Sequence, residues 1–257
     1  AFASITIKGV TVNFVLITAV GVGGATIIGS LIGFLFKGIS HKFSDYILAF
    51  ASGVMLSASI IGLILPSIEK ERPITLVLSV IGIVTGALLI GVIDRAVPHF
   101  HRILAKDAKD ECIDKVLLFV IAIAIHNIPE GIAAGVGFGS DNPADAIMIA
   151  CGIALQNLPE GMVLISPMLS AGISPVKTLL IAVFTGVIEI VFTIVGFLTV
   201  SISDALLPFL LSFAGGTMIF VISDEMIPET HADGNEKGAT FALIIGFCLM
   251  IVIDYLI

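Results

Sequence analysis

Val116–Gly139 reads VLLFVIAIAIHNIPEGIAAGVGFG, an apolar run with His126, Asn127, Pro129 and Glu130 at its middle. A bilayer's hydrocarbon core takes about 20 apolar residues to cross as a helix, and this run is long enough. Polar and ionisable groups at that depth are costly, so they normally line a cavity or an ion path. A near-copy follows in the next apolar run, where Gln156-Asn157-Leu158-Pro159-Glu160-Gly161 repeats the pattern of His126-Asn127-Ile128-Pro129-Glu130-Gly131. Two ligand-rich, proline-broken segments predict a binding site built from paired helices.

The rest of the chain agrees with a membrane setting. Of 257 residues, 58% are hydrophobic and only 12% charged, against about 25% charged in a soluble domain. Eight apolar runs are expected to span, near 12–36, 44–68, 74–97, 116–139, 143–169, 175–200, 205–228 and 238–257. The expected fold is therefore all-α, a single polytopic transmembrane domain over residues 1–257. Helices 4 and 5 are expected to be kinked by their prolines around a midplane metal site. The longest break, 98–115, reads as a charged cytoplasmic loop.

Nine of the twelve Lys and Arg fall in the odd-numbered loops and their helix ends. The positive-inside bias then predicts a multi-pass protein of the cell (inner or plasma) membrane with both termini outside the cytoplasm. The net charge of −8 is no nucleic-acid signal. The opening segment, whose one cation is Lys8, leads into a span too long for a signal-peptide core. No cleavable signal is expected, and the missing initiator Met suggests a trimmed N-terminus. Cys112, Cys151 and Cys248 are far apart and odd in number, so disulfides and thiolate metal sites are not expected. Gly29/Gly33 and Gly82/Gly86 have GxxxG spacing, which suits close helix packing.

Residues at i and i+4 share a helix face. His126 and Glu130 therefore point the same way, as do Gln156 and Glu160, with Asn127 and Asn157 beside them. Glu189 and Met55 lie at similar depth in runs 6 and 2. Pro129 and Pro159 each lack an N–H and free a carbonyl one turn earlier. Three carboxylates, Glu130, Glu160 and Glu189, would repel one another in a dry site unless a divalent cation sat among them. Carboxylate, imidazole and amide oxygen suit a borderline ion such as Zn²⁺, Mn²⁺ or Fe²⁺, and the Met55 thioether favours Zn²⁺ or Cd²⁺. Such ligands bind metal deprotonated, so binding is expected to weaken as pH falls.

A second tier lies at the membrane edges. Asp94, His99 and His101 close run 3, while Asp224, Glu225, Glu229 and His231 close run 7. These are candidates for a cytoplasmic metal exit. Glu69 and Asp254, at the opposite side, are candidates for the entrance.

Together these features resemble the ZIP (Zrt-/Irt-like) family of divalent metal transporters, closest to its prokaryotic members. The resemblance rests on eight spans, the HNxPEG segment of helix 4, its PEG partner in helix 5, and Phe213–Met218 followed by Asp224–His231 in helix 7. It implies a binuclear site. Met55, His126, Glu130, Gln156 and Glu160 would hold the first metal. Asn127, Glu130, Asn157, Glu160 and Glu189 would hold the second.

Many members carry His at the Gln156 position and some Asp at Asn157. The two neutral amides here imply weaker binding, above all at the second metal. The resemblance further implies a homodimer, transport toward the cytoplasm, and an elevator-like movement of helices 1, 4, 5 and 6. The expected function is transport of zinc, with cadmium, manganese or iron as further substrates. The chain is not expected to be an enzyme or to hold an enzyme cofactor, and its partners are the metal ion, the lipid bilayer and a second copy. The alternatives are channel-like metal flux, a metal-sensing membrane protein, or an intramembrane metallohydrolase. The last would need an HExxH pair, which is absent from the sequence.

Overall fold

A computed structural model of the chain describes residues 6–7, 10–35, 40–68, 72–104, 111–140, 143–202, 204–232 and 234–257. Within these, side chains are described except at 6–7, 10, 97–104, 111–119, 122, 143 and 204. The protein is an all-α membrane protein. In lipid every backbone N–H and C=O has to be satisfied within the protein, and a helix does so within its own segment.

Among the described residues there are eight long helical segments. They are α1 (Val12–Leu35), α2 (His41–Ser67), α3 (Pro73–Leu104), α4 (Glu111–Val136), α5 (Pro143–Ser170), α6 (Pro175–Ile202), α7 (Leu207–Thr230) and α8 (Glu236–Leu256). All of these except α4 meet a length and hydropathy standard for crossing a membrane, among the described residues. A two-residue antiparallel pair, β1 (Thr6–Ile7) with β2 (Val10–Thr11), precedes α1.

Local chemistry sets the helix ends. Proline is the first residue of α3, α5 and α6, where its missing N–H costs nothing. Ser40 caps α2, its hydroxyl oxygen accepting from the Phe43 N–H at 3.3 Å. After α5, Gly172 adopts φ +79° and turns the chain toward α6, with the Ile173 N–H returning to the Met168 carbonyl at 3.1 Å. A left-handed residue at a helix end favours glycine.

Two boundaries differ from the sequence expectation. The break expected at 98–115 lies largely inside helix: α3 runs on to Leu104 and α4 begins at Glu111, leaving 105–110 outside the described residues. Hydropathy reports where the chain leaves lipid, whereas a helix ends only where its backbone bonds stop. Pro98 removes one such bond, and helix forms on either side of it. Pro129 and Pro159 likewise lie inside α4 and α5, which continue through them as helix.

Packing sorts the helices into two groups of four. In the first, α1 lies along α5 and α6, and α4 lies along α6. In the second, α3 lies along α7 and α2 along α8. The groups meet mainly where α2 touches α5 and α4 touches α7. Both GxxxG pairs serve packing within a group. A methyl placed on Gly29 would sit 2.2 Å from the Leu158 carbonyl oxygen of α5, and one on Gly86 would sit 2.3 Å from the Phe213 carbonyl oxygen of α7.

The outward faces of α3 and α8 are apolar, with Val77, Val84, Leu88, Phe241, Ile245 and Val252 exposed. That is the surface lipid requires. Cys151 and Cys248 are free thiols on exposed faces; the Cys112 side chain lies outside the described residues.

Candidate metal centre

The first helix group buries a set of polar side chains at mid-height. Glu130 on α4, Gln156 and Asn157 on α5, and Glu189 on α6 are each at most 1% exposed, as is Asn127. Three helices can bring these residues together because each carries small residues where it meets its neighbour. Gly131 and Gly135 of α4 approach the Glu189 and Thr193 carbonyls of α6, and Gly161 of α5 approaches the Thr26 carbonyl of α1.

Two carboxylate–carboxamide pairs organise the centre. The Gln156 Nε2 donates to Glu130 Oε1 at 2.6 Å. The Asn157 Nδ2 donates to Glu189 Oε1 at 2.6 Å and also to the Val22 carbonyl of α1 at 3.1 Å. Asn127 Nδ2 is held by the Thr185 carbonyl of α6 at 3.0 Å. Glu189 Oε2 accepts from the Thr26 hydroxyl at 3.2 Å.

In this centre the unpaired atoms are of one kind: among the described residues, the buried acceptors Glu130 Oε2, Gln156 Oε1 and Asn157 Oδ1 have no hydrogen-bond partner. Glu130 also lies within electrostatic reach of Glu160 and Glu189. Among the described residues, no three His, Cys, Asp or Glu side chains form a metal-ligating group unaided. A cation at this place would have to draw on the amide oxygens as well.

His126 finds its partner on another helix: its Nε2 lies 2.8 Å from Glu225 Oε2 of α7. Glu225 sits in a π-helical stretch, Ile222–Met226, that interrupts α7. A second such stretch, Ala58–Ile64, interrupts α2 just after Met55. Wide turns of this type recur at functional sites, where the extra residue re-aims side chains. Met55 itself is fully buried in the main apolar core of the protein.

His126 and the half-buried Glu160 line a cavity of about 450 Å³, together with Asp224, Glu225 and Glu229 and apolar walls from Leu48, Ile123 and Val163. The cavity therefore joins residues placed at the midplane by sequence to residues placed at the exit. Asp94, exposed on α3, shares the electrostatic surroundings of Glu225, Asp224 and His126. His231 is engaged elsewhere: its Nδ1 lies 2.8 Å from the Ile227 carbonyl and its Nε2 3.1 Å from the Thr240 hydroxyl. Asp254 is exposed on α8. Glu69 lies outside the described residues, as do the side chains of His99 and His101.

Sequence reasoning passed over Thr26 and the carbonyls of Val22 and Thr185. Backbone carbonyls carry no residue-type signal. A hydroxyl inside a membrane helix usually returns to its own helix four residues back, as Ser59 does to Met55 at 2.7 Å, so Thr26 had nothing to set it apart.

Comparison with known proteins adds to this geometry. The family model described as ZIP Zinc transporter matches residues 105–254. The chain is 42% identical over 141 residues to "Zinc transporter GufA" of Myxococcus xanthus, a match covering 55% of this chain and 56% of that protein. It is 34% identical over 238 residues to "Zinc transporter ZIPB" of Bordetella bronchiseptica, covering 90% of this chain and 77% of that one. It is 32% identical over 248 residues to "Zinc transporter ZupT" of Chlorobaculum parvum, covering 90% and 92%. The chain thus spans about half the length of some relatives, GufA among them, and most of the length of others. With the helical fold and the paired Pro-Glu-Gly segments already described, these matches show that the chain belongs to the ZIP family.

Proposed function

We propose that this protein carries Zn²⁺-class divalent cations across a membrane through a centre made by Met55, His126, Asn127, Glu130, Gln156, Asn157, Glu160 and Glu189. The observation that carries this reading is the trio of buried acceptors without a donor, Glu130 Oε2, Gln156 Oε1 and Asn157 Oδ1. A buried polar atom left unpaired costs about 1–3 kcal/mol. Each of these electronegative atoms loses that cost when a cation binds beside it. The zinc-transporter names of the relatives support zinc as cargo. Imidazole and thioether ligands extend the reading to Cd²⁺, and the carboxylates and amides extend it to Mn²⁺ and Fe²⁺.

In this reading two metals share Glu130 and Glu160, and the second is the weaker because Asn157 supplies no charge. Eight helices span the membrane, with both termini outside the cytoplasm and cargo moving inward. The cavity lined by His126, Glu160, Asp224, Glu225 and Glu229 is the release route. His126 leaves the centre for Glu225 as the metal departs, and Asp94, His99, His101 and His231 extend the route. Glu69 and Asp254 serve the entrance. The group α1, α4, α5 and α6 carries the charged and amide ligands and moves against α2, α3, α7 and α8, and the working unit is a homodimer.

The test is Zn²⁺ and Cd²⁺ influx into liposomes holding wild type or Glu130→Ala. Saturable influx in the wild type, lost in the variant, is expected. Flux that rises linearly with metal concentration would turn the reading to a channel. Stoichiometric binding without flux would turn it to a sensor.

A further inference from the structure

We propose that Thr26 is a positioning residue for Glu189, and that zinc affinity depends on its hydroxyl. The proposal rests on the transport reading above and names a residue which that reading does not include.

Glu189 hangs from α6 but is gripped by two other helices. Its Oε1 accepts from Asn157 of α5 and its Oε2 from the Thr26 hydroxyl of α1, at 2.6 and 3.2 Å. Thr26 is 2% exposed and Glu189 is fully buried, so water does not substitute for either donor. The Thr26 backbone cannot drift. Its carbonyl accepts from the Ser30 hydroxyl at 2.9 Å, and it lies so close to Gly161 of α5 that a methyl there would sit 2.2 Å away. The hydroxyl is thus presented to Glu189 from a fixed place.

Each carboxylate oxygen has two lone pairs, so a donor on one side leaves the other free for a metal. Asn157 is arranged to the same end. Its Nδ2 serves both Glu189 and the Val22 carbonyl, which fixes the amide orientation and leaves Oδ1 as the unpaired acceptor. α1 therefore holds two ligands from two helices, through one hydroxyl and one carbonyl, while contributing no ligand itself. Outer hydrogen-bond partners of this kind orient a metal's ligands, and losing one typically costs 10–100-fold in affinity.

The experiment measures Zn²⁺ binding to the purified full-length chain by competition with a fluorescent chelator, with thermal unfolding as the check on folding. Thr26→Val keeps the shape and removes the hydroxyl, and is expected to weaken binding of the second metal, the one Glu189 holds, about 10–100-fold. Thr26→Ser keeps the donor and is expected to bind as the wild type does. On a Glu189→Gln background, Thr26→Val is expected to add almost nothing, because the partner it serves is already changed. Should Thr26→Val not fold, Thr26→Ala takes its place in the same cycle.

Wild-type affinity in the hydroxyl-free variant would overturn the proposal. So would an equal loss on both backgrounds, which would mean that Thr26 acts through packing alone. Glu130→Ala separates the two levels: if it binds as tightly as wild type, the metal centre itself is misplaced and the role of Thr26 falls with it. If Glu130→Ala loses binding and Thr26→Val does not, only the Thr26 proposal falls.

Discussion

The seams inside each helix group and the seam between the groups are built from different materials. Within the groups, backbone meets backbone at many glycines. Gly29 faces the Leu158 carbonyl, Gly186 faces that of Gly23, Gly53 faces that of Leu243, and Gly246 faces that of Phe50. Where α5 meets α2 and α8 of the other group, glycine meets the tip of a methionine. The site of a Cβ on Gly62 of α2 lies 2.8 Å from the Met148 methyl of α5, and that on Gly152 of α5 lies 2.8 Å from the Met250 methyl of α8. A carbonyl cannot yield without moving its helix. An unbranched thioether yields by turning a rotor. The glycine–carbonyl contacts inside the groups are therefore rigid, and the glycine–methionine contacts between them are cushioned.

Single substitutions at the glycines tell the two kinds of seam apart. Gly29→Ala should have the largest effect, because the new methyl meets a carbonyl held in α5. Overpacking of this kind costs about 1–3 kcal/mol or more, and thermal unfolding in detergent should show a clear drop. An unchanged midpoint would mean that the α1–α5 seam is not rigid.

The double change Met148→Leu with Met250→Leu keeps volume, so it should cost less than about 1.5 kcal/mol in stability per site. A branched side chain turns less freely, and Zn²⁺ influx in liposomes should slow several-fold while binding stays intact. Full-speed influx would remove any role of the methionines in motion. Gly62→Ala should have the smallest effect on stability, below about 1 kcal/mol, since the Met148 tip moves aside and the Ile149 side chain, 3.1 Å from the new methyl, has to give only a few tenths of an ångström. A fall as large as that of Gly29→Ala would erase the distinction between the two kinds of seam.

Much of this architecture was legible in the chain. The spans read from hydropathy fall within a few residues of the helices for α1, α5, α6 and α8. The error at α3, where helix persists through Pro98 to Leu104, arose because hydropathy and helicity end for different reasons. The polar set Glu130, Gln156, Asn157 and Glu189 stood out because each lies in an apolar run with no surface to serve, and the structure brings these four together through direct hydrogen bonds or electrostatic reach. The pairing of His126 with Glu225 was not legible. It needs the wide turn Ile222–Met226 to aim Glu225 across from α7, and such a turn has no residue signature.

Depth and face were written in the chain. Lipid penalises each buried polar group separately, and a helix repeats every 3.6 residues, so composition and spacing place a side chain along and around its own helix. Partnership came from the packed helices alone. Which oxygen of Glu189 meets Thr26, which hydrogens of Asn157 are taken, and which acceptors stay bare depend on how α1, α4, α5 and α6 are rotated against each other. That rotation is set by glycine contacts scattered over four helices, and no single stretch of chain contains them.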